Sequence, residues 1–383
     1  MRLLRLFVCF NAFLFVFFWR TALFWFDDKY GGGDGPDMLL YFTLIVIELL
    51  ALYLIITKQQ EKRKKHWIHF LCLYWEIMIL IVLVFNHASI GHYPKCLAWP
   101  LFFESSYLFV RSDIRFIKKY RKLFYLFALI GFYVFIGAML LKQFGSQTNM
   151  IYFLLLPFPV ILLKSDTRWR YRILLLTTFF ALLSMKRSIM LAYFLFWVIY
   201  GFKYLLEKGK KRVAIAMSVV FLTVGFGLIK VVDSISGGGL SSRTVNYQKK
   251  DISNGREAIY LVTLDMIVSS PPAHLILGHG HNAVRSNSPM EISAHNEFLE
   301  IIYDYGIIVL FIYLGLWTYV IKQWLYHYKN NTVFFVPYTL SICVFAVMAL
   351  VSQLVLYVSY FLYLIMFWGI VEGAKDYQLS KIQ

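Results

Sequence analysis

The side chains best suited to chemistry fall between residues 184 and 297 of the 383-residue chain. Arg187, in Leu182-Leu-Ser-Met-Lys-Arg-Ser188, closes an apolar run with Lys186 beside it. Arg256 follows Gly255 and opens a helical pattern, and Arg243 lies in a Gly/Ser-rich stretch. A guanidinium is a planar fork that donates two parallel hydrogen bonds, which suits it to phosphate. Each arginine also has a plainer reading. Arg187 reads as a snorkelling or turn residue, Arg256 as the exposed face of an amphipathic helix, and Arg243 as solvated loop. His295, in Ile292-Ser-Ala-His-Asn-Glu-Phe-Leu-Glu300, stands where a polar stretch turns apolar. Its imidazole titrates near neutrality and can take a proton from a hydroxyl, although a lone His in such a place is more often structural. Asn296 offers an amide to a substrate or, equally, a cap to the helix that follows.

Gly278-His-Gly-His281 invites a metal reading. Two histidines two residues apart, with no carboxylate pair at ligand spacing, are a weak metal signal. The glycines point instead to a turn with close backbone approach. No metal or cofactor is expected. The four cysteines, Cys9, Cys72, Cys96 and Cys343, show no CxxC spacing, and no glycine-rich phosphate loop is present.

The elements that must position these groups are membrane spans. Hydrophobic residues make up 60% of the chain and charged residues 15%, which excludes a soluble enzyme, a disordered chain and a disulfide scaffold. The apolar runs are long and unbroken, unlike the alternating strands of a β-barrel. They fall at 4–26, 38–57, 67–86, 96–111, 123–141, 150–163, 171–185, 188–202, 213–232, 298–321, 333–350 and 354–371, giving about twelve spans in one integral-membrane domain, 1–383. The net charge of +17 belongs to the loops rather than to nucleic-acid binding. Lys and Arg crowd 58–65, 111–122, 164–172 and 203–212. By the positive-inside rule both termini are cytoplasmic. The same alternation divides 171–202 into two spans joined by a tight outer turn at Met185–Ser188, with two positive charges on the side that disfavours them.

The remaining hydrophilic stretch, 233–297, then lies outside. At roughly 65 residues it is far longer than an ordinary connection, so it reads as the functional loop. Within it, 255–269 reads as an amphipathic helix whose apolar side carries Ile259, Leu261, Val262, Leu264, Met266 and Val268, ended by Ser269-Ser-Pro-Pro.

Four landmarks in this region resemble, in order, those of the O-antigen ligase and Wzy-type O-antigen or capsule polymerase superfamily. They are Ser184-Met-Lys-Arg187-Ser; Ser253-Asn-Gly-Arg256-Glu-Ala-Ile-Tyr260; Met266 through Pro272 to Leu277-Gly-His-Gly280; and His295-Asn-Glu-Phe-Leu299 through Gly306. Ser188 stands where glycine is frequent in that family, and the second glycine after the fourth landmark is missing. The resemblance implies an all-α, GT-C-like membrane glycosyltransferase of the bacterial inner membrane, with its site on the outer, periplasmic side. Its donor would be an undecaprenyl-diphosphate-linked glycan and its acceptor a second glycan, with a chain-length regulator as a further partner and no nucleotide sugar. Arg187, Arg256 and His295 match the essential residues of the family, with Lys186, Arg243 and Asn296 as auxiliaries. Overall resemblance favours repeat-unit polymerisation over ligation of finished glycan to lipid A–core. A lipid-linked oligosaccharide flippase or a structural subunit would also use many spans, but the halves look dissimilar and the polar features gather in one loop.

Overall fold

The computed structural model describes residues 2–30, 38–58, 66–141, 149–163, 167–209, 256–352, 354–355 and 357–380. Their regular structure is entirely helical, as a chain in hydrocarbon requires if each peptide group is to be satisfied within its own segment. The long helices are α1 (Arg2–Tyr30), α2 (Met38–Lys58), α3 (Trp67–Phe85), α4 (His92–Ser112) and α5 (Phe116–Leu141). After the short α6 (Ile151–Leu155) and α7 (Phe158–Ile161) come α8 (Thr167–Leu183) and α9 (Arg187–Glu207). The second half holds α10 (Arg256–Val268), α11 (Pro272–Leu277), α12 (Ala283–Asn287), α13 (Glu297–Lys329), α14 (Phe335–Val351) and α15 (Val358–Ser380).

Among the described residues, seven helices are long and apolar enough to cross a membrane: α1, α2, α3, α5, α9, α13 and α15. The α6–α7 pair and α14 are apolar but shorter. Every expected span falls on a helix or helix pair except 213–232, which lies outside the described residues. The count of strong spans is lower than twelve for a physical reason. α4 carries Glu104, Ser105 and Ser106 and is buried along most of its length, so its neighbours rather than lipid solvate it.

The column that buries α4 is α15. Gly369 and Gly373 lie one turn apart on α15, and a Cβ at either would sit 2.4 Å from the Phe103 carbonyl oxygen or 2.5 Å from that of Tyr107. Only hydrogen side chains permit that approach, the usual device for close helix packing in membranes. Both chain termini lie at one end of the bundle. There Phe7 of α1 packs on Phe116 of α5 with ring centroids 4.4 Å apart, and Tyr107 donates to Asp376 near the end of α15 at 2.8 Å. The opposite end gathers the α8–α9 turn, α10 to α12, the start of α13 and the α14–α15 junction. This division agrees with the loop alternation read from the sequence.

Candidate functional site

The turn between α8 and α9 forms where expected. Met185 takes a left-handed φ of 52°, and the Ser184 hydroxyl accepts from the Lys186 amide at 3.2 Å. Arg187 then opens α9. This helix has no acidic residue in its first turn, and its N-cap residue, Lys186, makes no side-chain capping bond. Two cations thus stand at the positive end of a helix dipole, each at a cost of about 0.3–1 kcal/mol that a bound anion would reverse. Ser188, one residue on, hydrogen-bonds the Tyr152 hydroxyl at 2.8 Å, and Lys186 Nζ lies 5.9 Å from the Tyr152 ring centre.

α10 brings Arg256 to the same end. Ile259, Thr263 and Ile267 are its buried stripe, spaced four apart so that they lie on one face. The apolar side read from the sequence is divided between this packed stripe and the exposed surface. Of the residues assigned there, only Ile259 is buried, while Leu261, Leu264 and Val268 are exposed. The reason is that apolar residues occur around most of this helix, so periodicity alone did not choose the packed face. Tyr260 lies one position after Ile259, and its hydroxyl is within reach of two carbonyls, His295 O at 3.3 Å and Leu350 O at 3.2 Å.

His295 sits in a left-handed conformation, φ 52°, just before α13. Three anchors fix this turn. The Ala294 amide donates to the Glu300 carboxylate at 2.7 Å. The Asn296 side chain accepts from Phe298 N and Leu299 N at 3.1 and 3.2 Å, so it caps the helix, and its amide nitrogen donates to Leu350 O at 3.4 Å. Glu297 accepts from Tyr313 at 2.8 Å and from the backbone amides of Leu354 and Val355, tying the α14–α15 junction to the same place. The half-buried His295 imidazole is held below its ordinary pKa, first by burial and then by the positive charges of Arg256 and Lys186. Three separate stretches of chain thus bring Lys186, Arg256 and His295 into one electrostatic neighbourhood. Arg187 lies exposed at the start of α9. Arg243 lies outside the described residues, as does most of the first half of the 233–297 loop.

The Gly278–His281 stretch docks the loop. The amides of His279 and Gly280 donate to the carbonyls of Tyr303 and Asp304 at 2.9 and 2.8 Å. Opposite them, α13 breaks at Gly306 (φ 81°, ψ 174°). Gly278 adopts nearly the same conformation (φ 73°, ψ 176°), a region essentially reserved for glycine. A Cβ on Gly278 would meet Asp304 O at 2.2 Å, and one on Gly306 would meet Ile276 O at 2.1 Å. Asp304 then receives the amides of Asn282 and Val284 at 2.8 and 2.9 Å. The two histidines serve different partners. His279 stacks between His274 and Tyr303, both at 4.3 Å, and bonds the Ser270 hydroxyl at 2.9 Å. His281 bonds the Tyr305 hydroxyl at 2.5 Å, and burial and nearby His92 and Lys95 lower its pKa to about 3. The two rings do not converge on a common point.

All of the described site except Tyr152 and the α14–α15 junction lies within one segment that matches a known family. Residues 172–314 match the O-antigen ligase family. The match spans the Lys186–Arg187 turn, Arg256, the glycine turn and His295. It supports a bacterial membrane enzyme of the O-antigen ligase or polymerase type, acting on lipid-linked glycan and an acceptor. No curated protein matches the chain.

Sequence reasoning left Tyr260, Glu297 and Glu300 without roles. Tyr260 is the aromatic position of the second landmark, and both glutamates flank His295, so their places were visible although their partners were not.

Proposed function

We propose that the chain transfers a glycan from a polyprenyl diphosphate to a sugar hydroxyl at the end of the bundle that holds Lys186, Arg256 and His295. The observation that carries this reading is their convergence around a depressed imidazole. As the acceptor oxygen bonds the anomeric carbon, the carbon–oxygen bond to phosphate breaks and its electron pair leaves with the diphosphate. Negative charge then grows on the departing phosphate oxygen. Preplaced cations in a poorly solvated site stabilise it strongly, without reorganising at the moment of reaction. Arg256 and Lys186 suit that task, with the exposed Arg187 at the start of α9 beside them. His295, kept neutral by burial and its cationic neighbours, accepts the proton that the hydroxyl loses. Glu297 and Glu300 are committed to backbone amides, which favours direct displacement with inversion over a covalent glycosyl-carboxylate.

Polymerisation of repeat units is the first reading, with the site on the outer side of the inner membrane. Ligation to a core acceptor is the second, favoured by the description of the matching family. Single Arg256→Ala, Lys186→Ala and His295→Ala variants, each checked for insertion, test the site in cells. Loss of one such group costs about 3–4 kcal/mol, or 10²–10³ in rate. Single repeat units on the acceptor would mark a polymerase, and finished polymer stranded on the lipid carrier a ligase. Normal glycan from all three variants overturns the site.

A further inference from the structure

Next to the basic cluster, on the far side of an aromatic partition, lies a cavity of about 300 Å³. Its lining includes the rings of Trp25 and Tyr357 and the polar groups of Lys95, Asn282, Arg285 and Glu300. α1 and α2 close the remaining side with mostly apolar chains, Thr21 and Tyr41 adding hydroxyls. The partition is a run of stacked and tilted rings. Trp25 lies 6.1 Å from Tyr357 and 5.8 Å from Tyr360, and Tyr360 lies 5.2 Å from Tyr152, the residue bonded to Ser188 beside Lys186.

The lining defines the chemistry of an occupant. At about 30 Å³ per water, the space equals roughly ten waters, enough for one hexopyranose and little more. Lys95 and Arg285 share this lining with the carboxyl groups of Glu300 and Asp304, so groups of both signs meet any occupant and neither a purely anionic nor a purely cationic one is matched. A lipid chain would set hydrocarbon against the charged groups of Lys95 and Glu300, which is costly. Ring hydroxyls both donate and accept, and find both kinds of partner here. Aromatic faces suit the C–H faces of a sugar ring. Asn282, Arg285 and Glu300 belong to the family-matched segment, whereas Trp25, Lys95 and Tyr357 lie outside it, so the cavity joins that segment to the rest of this chain.

We infer that this cavity is a subsite for one neutral hexose unit of the glycan, a sugar or two away from the bond being made. The inference rests on the glycan-transfer reading for its biological sense, but its test does not. Full-length protein in lipid nanodiscs is titrated with a panel of neutral methyl hexosides, with methyl glucuronide and with undecaprenyl phosphate, and binding is followed by saturation-transfer NMR. At least one neutral hexoside binds the wild type. Arg285→Ala, Tyr357→Leu and the near-isosteric Lys95→Gln each weaken it by about tenfold or more, equivalent to about 1.4 kcal/mol. Three variants guard against one that fails to fold. Binding of the glucuronide alone, displacement by undecaprenyl phosphate, or hexoside binding unchanged in folded variants each overturns the subsite. Glycan assembly in cells is scored separately. Normal product from Arg256→Ala and His295→Ala alongside intact hexoside binding would sink the transferase reading and leave the subsite standing.

Discussion

The paired glycines give the sharpest prediction about how the site is held. In Gly278→Ala the new methyl group would lie 2.2 Å from Asp304 O, 2.4 Å from its carbonyl carbon and 2.5 Å from Tyr305 Cα. All three are backbone atoms, so nothing nearby can rotate away. The turn must either separate from α13 or adopt another conformation. Separation forfeits the two amide bonds from His279 and Gly280, about 0.5–1.5 kcal/mol each. The alternative, holding Ala docked in the glycine-only region, costs about 1–3 kcal/mol. By either route the docked state should weaken by about 2 kcal/mol, close to thirtyfold in its opening equilibrium. Gly306→Ala removes the same contact from the other side and should cost as much. Because both break one interface, the double variant should cost little more than either alone, a coupling of up to about 2 kcal/mol. Trypsin provides the assay. Arg285 is exposed and lies in the docked segment, and under fast reclosing the native cleavage rate follows the open population. Gly91→Ala is the control, since a Cβ there meets nothing within 4 Å and the residue is already helical. Wild-type cleavage of Gly278→Ala, or single effects that sum fully, would refute the docking argument.

Other perturbations bear on the site and on the far end of the bundle. If neutral His295 is the proton acceptor, transfer activity should fall only at pH below the ordinary imidazole value of 6.5, because its pKa is lowered; Lys186→Gln, which removes one lowering charge, should move that acid limb to higher pH in a pH–rate profile. Tyr260→Phe should lose about 1 kcal/mol of stability in a denaturant titration and lower turnover more than donor binding, because its hydroxyl links α10 to the His295 and Leu350 carbonyls. His66, at the opposite end, hydrogen-bonds Asp376 at 3.1 Å, and its pKa is raised chiefly by that bond. Its stabilising contribution is complete below the unfolded value of about 6.5 and is lost as pH rises through the higher folded value, so thermal stability should decline across that window, and His66→Gln should flatten the decline.

Much of this arrangement was legible in the residues. Apolar runs located the helices, and loop charge separated α8 from α9 at the turn that carries Lys186 and Arg187. The His295–Leu299 landmark sits at the start of α13 as its pattern implied. What stayed hidden has identifiable causes. That Lys186 bears on the charge of His295 depends on where one helix begins and how one side chain turns. The interlocked Gly278 and Gly306 are far apart in sequence and leave no mark beyond their lack of a side chain. The cavity draws on α1, α2, α4, the α11–α12 loop, α12, α13 and α15, so no local motif encodes it. Glu297 and Glu300 flank His295 in sequence, but the backbone amides they accept from are set only by the fold.

The break at Gly306 also works as a depth gauge. Beyond it the exposed side chains of α13 are mainly oily up to Ile321, with Ile307, Ile308, Phe311 and Leu314 among them, and Lys322 follows. The stub before it carries the acids Glu297, Glu300 and Asp304, all buried among protein. The stretch 307–329 measures about 34 Å at helical rise, close to the thickness of a bilayer's hydrocarbon; if it is the spanning part, Gly306 lies at the waterline and the stub 297–305 adds about 14 Å beyond it, with His295 past its end. On the glycan-transfer reading, bond formation would then be lifted clear of the acyl chains, at the level where the headgroup of a long-tailed donor gives way to water. Inserting a single residue into that stub would swing the imidazole by about 100° around the axis and aim it away from anything the lipid delivers.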